Sequence, residues 1–269
     1  MSVALAVTWN PRGEMPRFER LLPGLLQVYT GLAISFPPAA NPQVTQAFTA
    51  GAYAGRSDLR VFVNPAWAGG RYMALQTALQ LEADFIHYAD MDRLLRWVET
   101  RPDEWRQAVR ALQASDCLVM GRSEAAYRTH PRCLVQTEAI SNRVVSHILG
   151  WEMDVSAGSK GFSRRAAEYL VTNTQPARAL GTDAEWPILL QRAGFRVDYC
   201  TVDGLDWESA DRYQVQAVGS ADQRQAAEQV DADPQSWEWR VQVAAEIVEV
   251  ALEAARKVIV SKDVNVNTG

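Results

Sequence analysis

Short apolar runs alternate with stretches of helical periodicity through about the first ninety residues of the chain. Residues 2–9, SVALAVTW, form an apolar run ended by the turn cluster Asn10-Pro11-Arg12-Gly13. Residues 16–29 then set Phe18, Leu21, Leu22 and Leu25 at helical spacing, with Pro23 as a candidate kink. The same alternation predicts strands over 31–38, 59–65 and 84–90, and helices over 41–52 and 69–82. Repetition of this kind builds a mostly parallel sheet with helices on both faces. Right-handed crossovers bring the carboxyl ends of its strands to one side.

Farther along, the pattern predicts helices over 101–115, 134–150, 163–173 and 182–194, with Gly150 and Gly194 as stops. Strands are predicted over 116–123 and 195–202, a long helix over 231–258, and a frayed tail over 259–269. Residues 122–133, RSEAAYRTHPRC, read as a flexible loop offering Arg122, Arg128 and His130 to an anion. Residues 154–165, DVSAGSKGFSRR, read as a tight turn before a helix.

The chain has 269 residues, 48% hydrophobic and 22% charged, the composition of an ordinary globular protein with room for a sizeable core. A net charge of -5 excludes the basic footprint of a nucleic-acid binder. No apolar run approaches the roughly 18 to 20 residues of a membrane span, and MSVALAVTWN reads as a first strand, not a targeting segment. Cys117, Cys133 and Cys200 are widely spaced, which predicts reduced thiols and a cytoplasmic location.

One stretch raises a chemical question. In DFIHYADMD, residues 84–92, a core strand runs straight into two carboxylates one residue apart. Residues two apart in extended chain point to the same side, and ligands of parallel α/β sheets gather at the strands' carboxyl ends. Converging carboxylates repel unless a cation or donors separate them. Mg2+ and Mn2+ take carboxylate oxygens while leaving positions for phosphates. Asp90 and Asp92 are therefore a candidate metal pair. The alternative is that Asp92 caps the helix that follows.

Four segments in order widen the context: VALAVTWNPRGEMPRFERLLPGLL, VNPAWAGGRYMALQTALQLEADFIHYADMD, WEMDVSAGSKGFSRRAAEYL and GTDAEWPILLQRAGFRV. Together, over residues 2–212, they resemble nucleotide-diphospho-sugar glycosyltransferases of the GT-A type (family 2-like), relatives of dolichol-phosphate mannosyl synthase and glucosyl-phosphoglycerate synthase. The resemblance implies a Rossmann-like α/β fold with a glycosyltransferase domain over 1–215. Its nucleotide-binding half would cover about 1–95 and its acceptor half about 96–215, with a helical extension over 216–258. It implies a UDP- or GDP-linked donor meeting Thr8, Trp9, Asn10, Asn64, Gly70, Arg71 and Asp90, and Mn2+ or Mg2+ on Asp90 and Asp92. It implies Asp183 as the base of an inverting hexosyl transfer, with Glu185 in reserve. Gly158, Ser159, Lys160 and Arg122 would face a small-molecule, polysaccharide or lipid-linked acceptor.

Read from the residues alone, Trp9 serves equally as a core aromatic, Arg71 as a solvated helix start, Asp183 as a helix cap and Lys160 as an ordinary loop cation. Many members of that family place a histidine after the last core strand, whereas His87, His130 and His147 all precede it here. Residues 202–212 offer Asp203, Asp206 and Glu208 instead, and His87 reads as a packed core residue. The departure keeps a catalytically silent nucleotide-sugar-binding protein in play. A nucleotidyltransferase is disfavoured, because TWNPRGEMPR has one glycine and no lysine. The C-terminal helix sets Trp237, Val241, Ala244, Ala245, Val248 and Leu252 on one face, expected to pack on the domain, with a homodimer as the second reading.

Overall fold

The computed structural model describes residues 1–176, 178 and 180–258, so the expected tail lies outside the described residues. Seven strands form one sheet: β1 (Val3–Thr8), β2 (Gly31–Phe36), β3 (Leu59–Val63), β4 (Phe85–Asp90), β5 (Cys117–Arg122), β6 (Ser159–Ser163) and β7 (Val197–Val202). Their order is β3-β2-β1-β4-β6-β5-β7. All pairings are parallel except those of β6, which runs antiparallel between β4 and β5. Helices α1 (Met15–Val28), α2 (Pro42–Thr49), α3 (Gly70–Ala78), α4 (Met91–Thr100) and α5 (Pro102–Ala111) fill the first half. They are followed by α6 (Glu124–Tyr127), α7 (Arg132–Leu149), α8 (Arg164–Asn173), α9 (Thr182–Arg192), α10 (Ser220–Asp231) and α11 (Pro234–Arg256). No described helix is long and apolar enough to cross a membrane.

Side-chain alternation divides the interior into two cores. Val3, Leu5 and Val7 of β1 face Phe18, Leu22 and Leu25 of α1 and Leu94 and Leu95 of α4. Ala4 and Ala6 face the other way, into a core with Ala74 and Leu75 of α3, Trp186 of α9 and Ile247 of α11. The sheet is therefore covered on both sides, as the strand–helix alternation predicts. α1 continues through Pro23 without interruption.

β6 is absent from the sequence reading, where residues 154–165 were expected as a turn before a helix. SKGFS lacks an apolar alternation, yet four of its five residues are buried. Its polar groups are satisfied sideways: Ser159 Oγ lies 2.9 Å from His87 Nε2, and Lys160 Nζ lies 2.6 Å from Asp183 Oδ1. α10 was not anticipated, and the expected C-terminal helix after it is α11, capped by Asp233 through a 3.0 Å bond from Gln235 N–H. Its buried face also differs from the expected one. Val243, Ile247, Val250 and Ala251 are buried against α7 and α9, while Val241 and Leu252 are exposed.

His87 occupies the core of β4, as its position inside the strand predicts. Trp105 donates to Tyr29 Oη at 2.9 Å, and Tyr29 Oη lies 2.7 Å from His87 Nδ1, so the hydroxyl donates to the imidazole. Burial pushes the His87 pKa down to about 3. A histidine held neutral in the fold but free to charge when unfolded stabilises above its ordinary pKa of about 6.5 and loses that contribution as pH falls toward 3. His87 alone is expected to remove about 3 kcal/mol between pH 7 and pH 4. Urea unfolding at both pH values should show a shallower acid loss in His87→Gln than in the parent.

Candidate functional site

Strand register brings the first residues of the site together. Thr8, the last residue of β1, is paired with Asp90, the last of β4. A cleft of about 250 Å³ opens at this edge. Of the residues expected from the sequence, Thr8, Trp9, Asn10, Gly70, Arg71, Asp90, Asp92 and Asp183 line it. The ring of Trp9 is nevertheless a core aromatic, 2% exposed, with its centroid 5.1 Å from that of Phe18 and 5.8 Å from that of Phe36.

Asp90 is fixed by donors. Its Oδ1 accepts from Thr8 Oγ1 at 2.9 Å and Tyr88 Oη at 2.7 Å, and its Oδ2 from Arg71 Nη2 at 3.1 Å. Asp92 stands differently. The helix α4 starts at Met91, so the two acids straddle a strand–helix junction instead of sharing an extended segment, and Asp92 lies in the first helical turn. Its Oδ1 accepts only the backbone N–H of Arg93, at 2.9 Å, and among the described residues it makes no ion pair. Burial, followed by the charges of Glu208 and Asp90, pushes its pKa up. Glu208, on the loop after β7, lines the same cleft. Burial would raise its pKa too, but Arg93, with Nε 3.1 Å away, holds it below the ordinary carboxylate range.

Gly158 sits directly behind Asp90. Its φ is +67°, and a Cβ there would lie 2.6 Å from Asp90 Oδ2. Gly158→Ala is expected to cost about 1–2 kcal/mol through its left-handed backbone alone. It should also displace the Asp90 carboxylate, a loss that thermal melts and nucleotide titrations would read separately.

Sequence reasoning missed the cations of the rim. Arg12 and Arg212 both line the cleft, and neither makes an ion pair among the described residues. Burial and then repulsion from Arg12 lower the Arg212 pKa. Two loops hold them close. Tyr213 N–H donates to Arg12 O at 2.7 Å, and a Cβ on Gly13 would lie 2.8 Å from Tyr213 Cα. Tyr213 itself has φ 63°, a conformation that costs an L-residue energy and needs surrounding support. That support comes from buried Arg96, which meets Asp206 at 2.9 Å and Asp211 at 2.7 Å. The only sequence signal was the pair of unassigned arginines flanking turn residues.

The acceptor-side expectations need correction. Lys160 is 1% exposed within β6, bonded to Asp183 and to Val155 O, so it presents no free charge. Ser159 is equally buried, against His87. Arg122 ends β5 instead of opening a flexible loop. It is gripped by Asp154 at 2.7 Å and Glu138 at 2.5 Å, while residues 124–127 form α6. His130 is buried, with Nδ1 3.0 Å from Ala126 O, and Arg128 is exposed and paired with Glu124. Asn64 stays behind the cleft wall, donating to Phe36 O at 3.0 Å.

Asp183 lines the cleft but is only 3% exposed. Burial would raise its pKa; Arg71 at 2.7 Å and Lys160 at 2.6 Å override it and lower the pKa. A carboxylate so held is a weak proton acceptor. Glu185 is not in the cleft at all: it faces Val250, Glu253 and Lys257 in a separate recess.

A divalent ion fits this set. Among the described residues no three His, Cys, Asp or Glu side chains are grouped to hold an ion unaided. A hard ion does not require that, since one or two carboxylates plus substrate phosphates suffice. In such a site Asp92 would supply the carboxylate without an ion-pair partner and Asp90 the fixed second one.

No protein-family model and no curated protein matches the chain. Solved structures do. Glucosyl-3-phosphoglycerate synthase from Mycobacterium tuberculosis superposes with a TM-score of 0.56 at 12% identity, covering 94% of this chain and 80% of that one. Its complex with Mn2+, UDP and phosphoglyceric acid gives 0.53 at 10% identity, over 96% and 80% of the two chains. The complex with Mn2+, UDP-glucose and phosphoglyceric acid gives 0.52 at 10% identity, over 94% and 79%. At such identity the likeness establishes architecture: the chain has the GT-A α/β fold.

Proposed function

We propose that the protein is a glycosyltransferase that takes its sugar from a UDP- or GDP-linked donor. The observation that carries this reading is the partly buried carboxylate of Asp92 beside Asp90, in a cleft also lined by Arg12 and Arg212, none of Asp92, Arg12 and Arg212 being in an ion pair among the described residues. Charges of opposite sign left uncompensated at one site suit a metal–diphosphate ligand, which carries both. Asp90 and Asp92 would hold Mn2+ or Mg2+, and such an ion, when bound, neutralises charge growing on the departing diphosphate. The M. tuberculosis structures contain Mn2+ with UDP or UDP-glucose, which favours UDP among the nucleotides.

The chain's own groups do the rest. Arg12 and Arg212 bind diphosphate oxygens, their two loops held together by the backbone bond from Tyr213 to Arg12. Gly70, at the start of α3, lets phosphate or ribose approach the backbone closely. Asp183 orients Arg71, which in turn steadies Asp90. This assigns Asp183 to positioning, in place of the proton-abstracting role expected from the sequence.

The test is nucleotide release from a panel of UDP- and GDP-sugars with Mn2+, with and without chelator. Metal-dependent release from at least one donor is expected. Tight nucleotide binding without release from any donor would favour the silent binding protein.

A further inference from the structure

The wall that α11 gives the cleft has a different chemistry. Trp239, Arg240, Val243 and Ile247 form it. Val243 and Ile247 are buried and form an apolar base. Trp239 is 53% exposed, and among the described residues its ring meets no other aromatic ring. A large flat ring turned to water inside a concave site is more informative than one scattered on a convex surface. The guanidinium of Arg240 makes no hydrogen bond among the described residues. Its nearest carboxylate is Glu138, 3.9 Å away, which is already engaged by Arg122 at 2.5 Å.

The helix is held in place, so this wall is built and not incidental. Glu246 accepts the backbone N–H groups of Leu180 and Gly181, each at 3.1 Å. Gly181 allows a close approach, since a Cβ there would lie 2.5 Å from Val250 Cγ2. Leu180 and Asp183 flank the same cleft, so α11 is registered against the turn that carries Asp183.

We propose that Trp239 and Arg240 form the acceptor subsite, and that the acceptor is a sugar ring bearing a phosphate or a carboxylate. A pyranose presents an apolar C–H face that stacks on indole, while its hydroxyls stay in water. The guanidinium fork recognises a phosphate or carboxylate through paired N–H donors. The subsite rests on the glycosyl-transfer reading for its role. In the transfer, an acceptor hydroxyl oxygen bonds to the donor's anomeric carbon. The bond from that carbon to the diphosphate breaks, its electron pair leaves with the nucleotide, and the hydroxyl proton passes to water.

The experiment titrates glucose 6-phosphate, glucuronic acid, glucose and inorganic phosphate into the full chain by calorimetry, with and without UDP and Mn2+. It is repeated on Trp239→Ala and Arg240→Gln. At least one anionic sugar is expected to bind tighter than both glucose and phosphate, and which of the two does so identifies the anion. Trp239→Ala should weaken that ligand about tenfold, and Arg240→Gln should do the same for it while leaving glucose unchanged. Binding no tighter than phosphate, or equal in all three proteins, overturns the subsite. So does failure of every probe while UDP still binds. If UDP itself does not bind, the transfer reading falls, and the nucleotide-free titrations then decide the subsite alone.

Discussion

Replacing Asp183 by alanine is expected to lower the unfolding free energy by about 3–5 kcal/mol and the melting temperature by about 10 °C. The carboxylate is buried between Lys160 Nζ at 2.6 Å and Arg71 Nη1 at 2.7 Å. Its removal leaves Lys160 with only the Val155 carbonyl, at 3.0 Å, and Arg71 with only Asp90 as a carboxylate partner. A buried cation without its counter-charge is far costlier than the intact pair is stabilising. Lys160→Met should cost less than Asp183→Ala, because Asp183 keeps Arg71. The double variant should cost less than the sum of the two, because the cation stranded by one change is removed by the other. Chemical unfolding of the four proteins closes the cycle. A change within about 0.5 kcal/mol for Asp183→Ala would mean that the network does not form.

Asp92→Asn is expected to act in the opposite direction on stability while abolishing ligand response. Asp92 is a partly buried carboxylate that makes no ion pair among the described residues, and burial with its like-charged neighbours Glu208 and Asp90 outweighs the attraction of Arg93. An amide of the same shape removes that repulsion and keeps the bond from Arg93 N–H, so the ligand-free protein should gain about 1–2 kcal/mol. The price is the ion site. Melting curves with UDP and Mn2+ should rise for the parent and stay flat for the variant. A variant that is less stable without ligand would show that Asp92 is a structural cap instead. Functional sites retain such local strain because the ligand relieves it.

β1, β2, β3 and β4 and the helices between them were legible because the apolar runs and the 3.6-residue periodicity are produced by burial itself. Asp90 and Asp92 were legible because they interrupt that pattern at a strand end. β6 was not, because its lysine, serines and glycine are satisfied by partners distant in sequence, and no local pattern encodes such bonds. For the same reason Lys160 and Arg122, which look like free cations in the sequence, turn out to be buried and paired. Glu185 stood in reserve behind Asp183, but residues two apart on a helix project to nearly opposite sides, and only Asp183 reaches the cleft. Arg12 and Arg212 lie far apart in sequence and are brought together by the backbone contact between their loops.

The central claim is that the acids after Tyr88-Ala89 bind a divalent ion together with a nucleotide diphosphate. Calorimetric titration of UDP and GDP into the parent protein, with Mn2+ and then with chelator, tests it most directly. The account predicts binding of at least one nucleotide that weakens by tenfold or more when the metal is removed, about 1.4 kcal/mol. Nucleotide affinity unchanged by chelation, or no binding of either nucleotide in Mn2+, would contradict it.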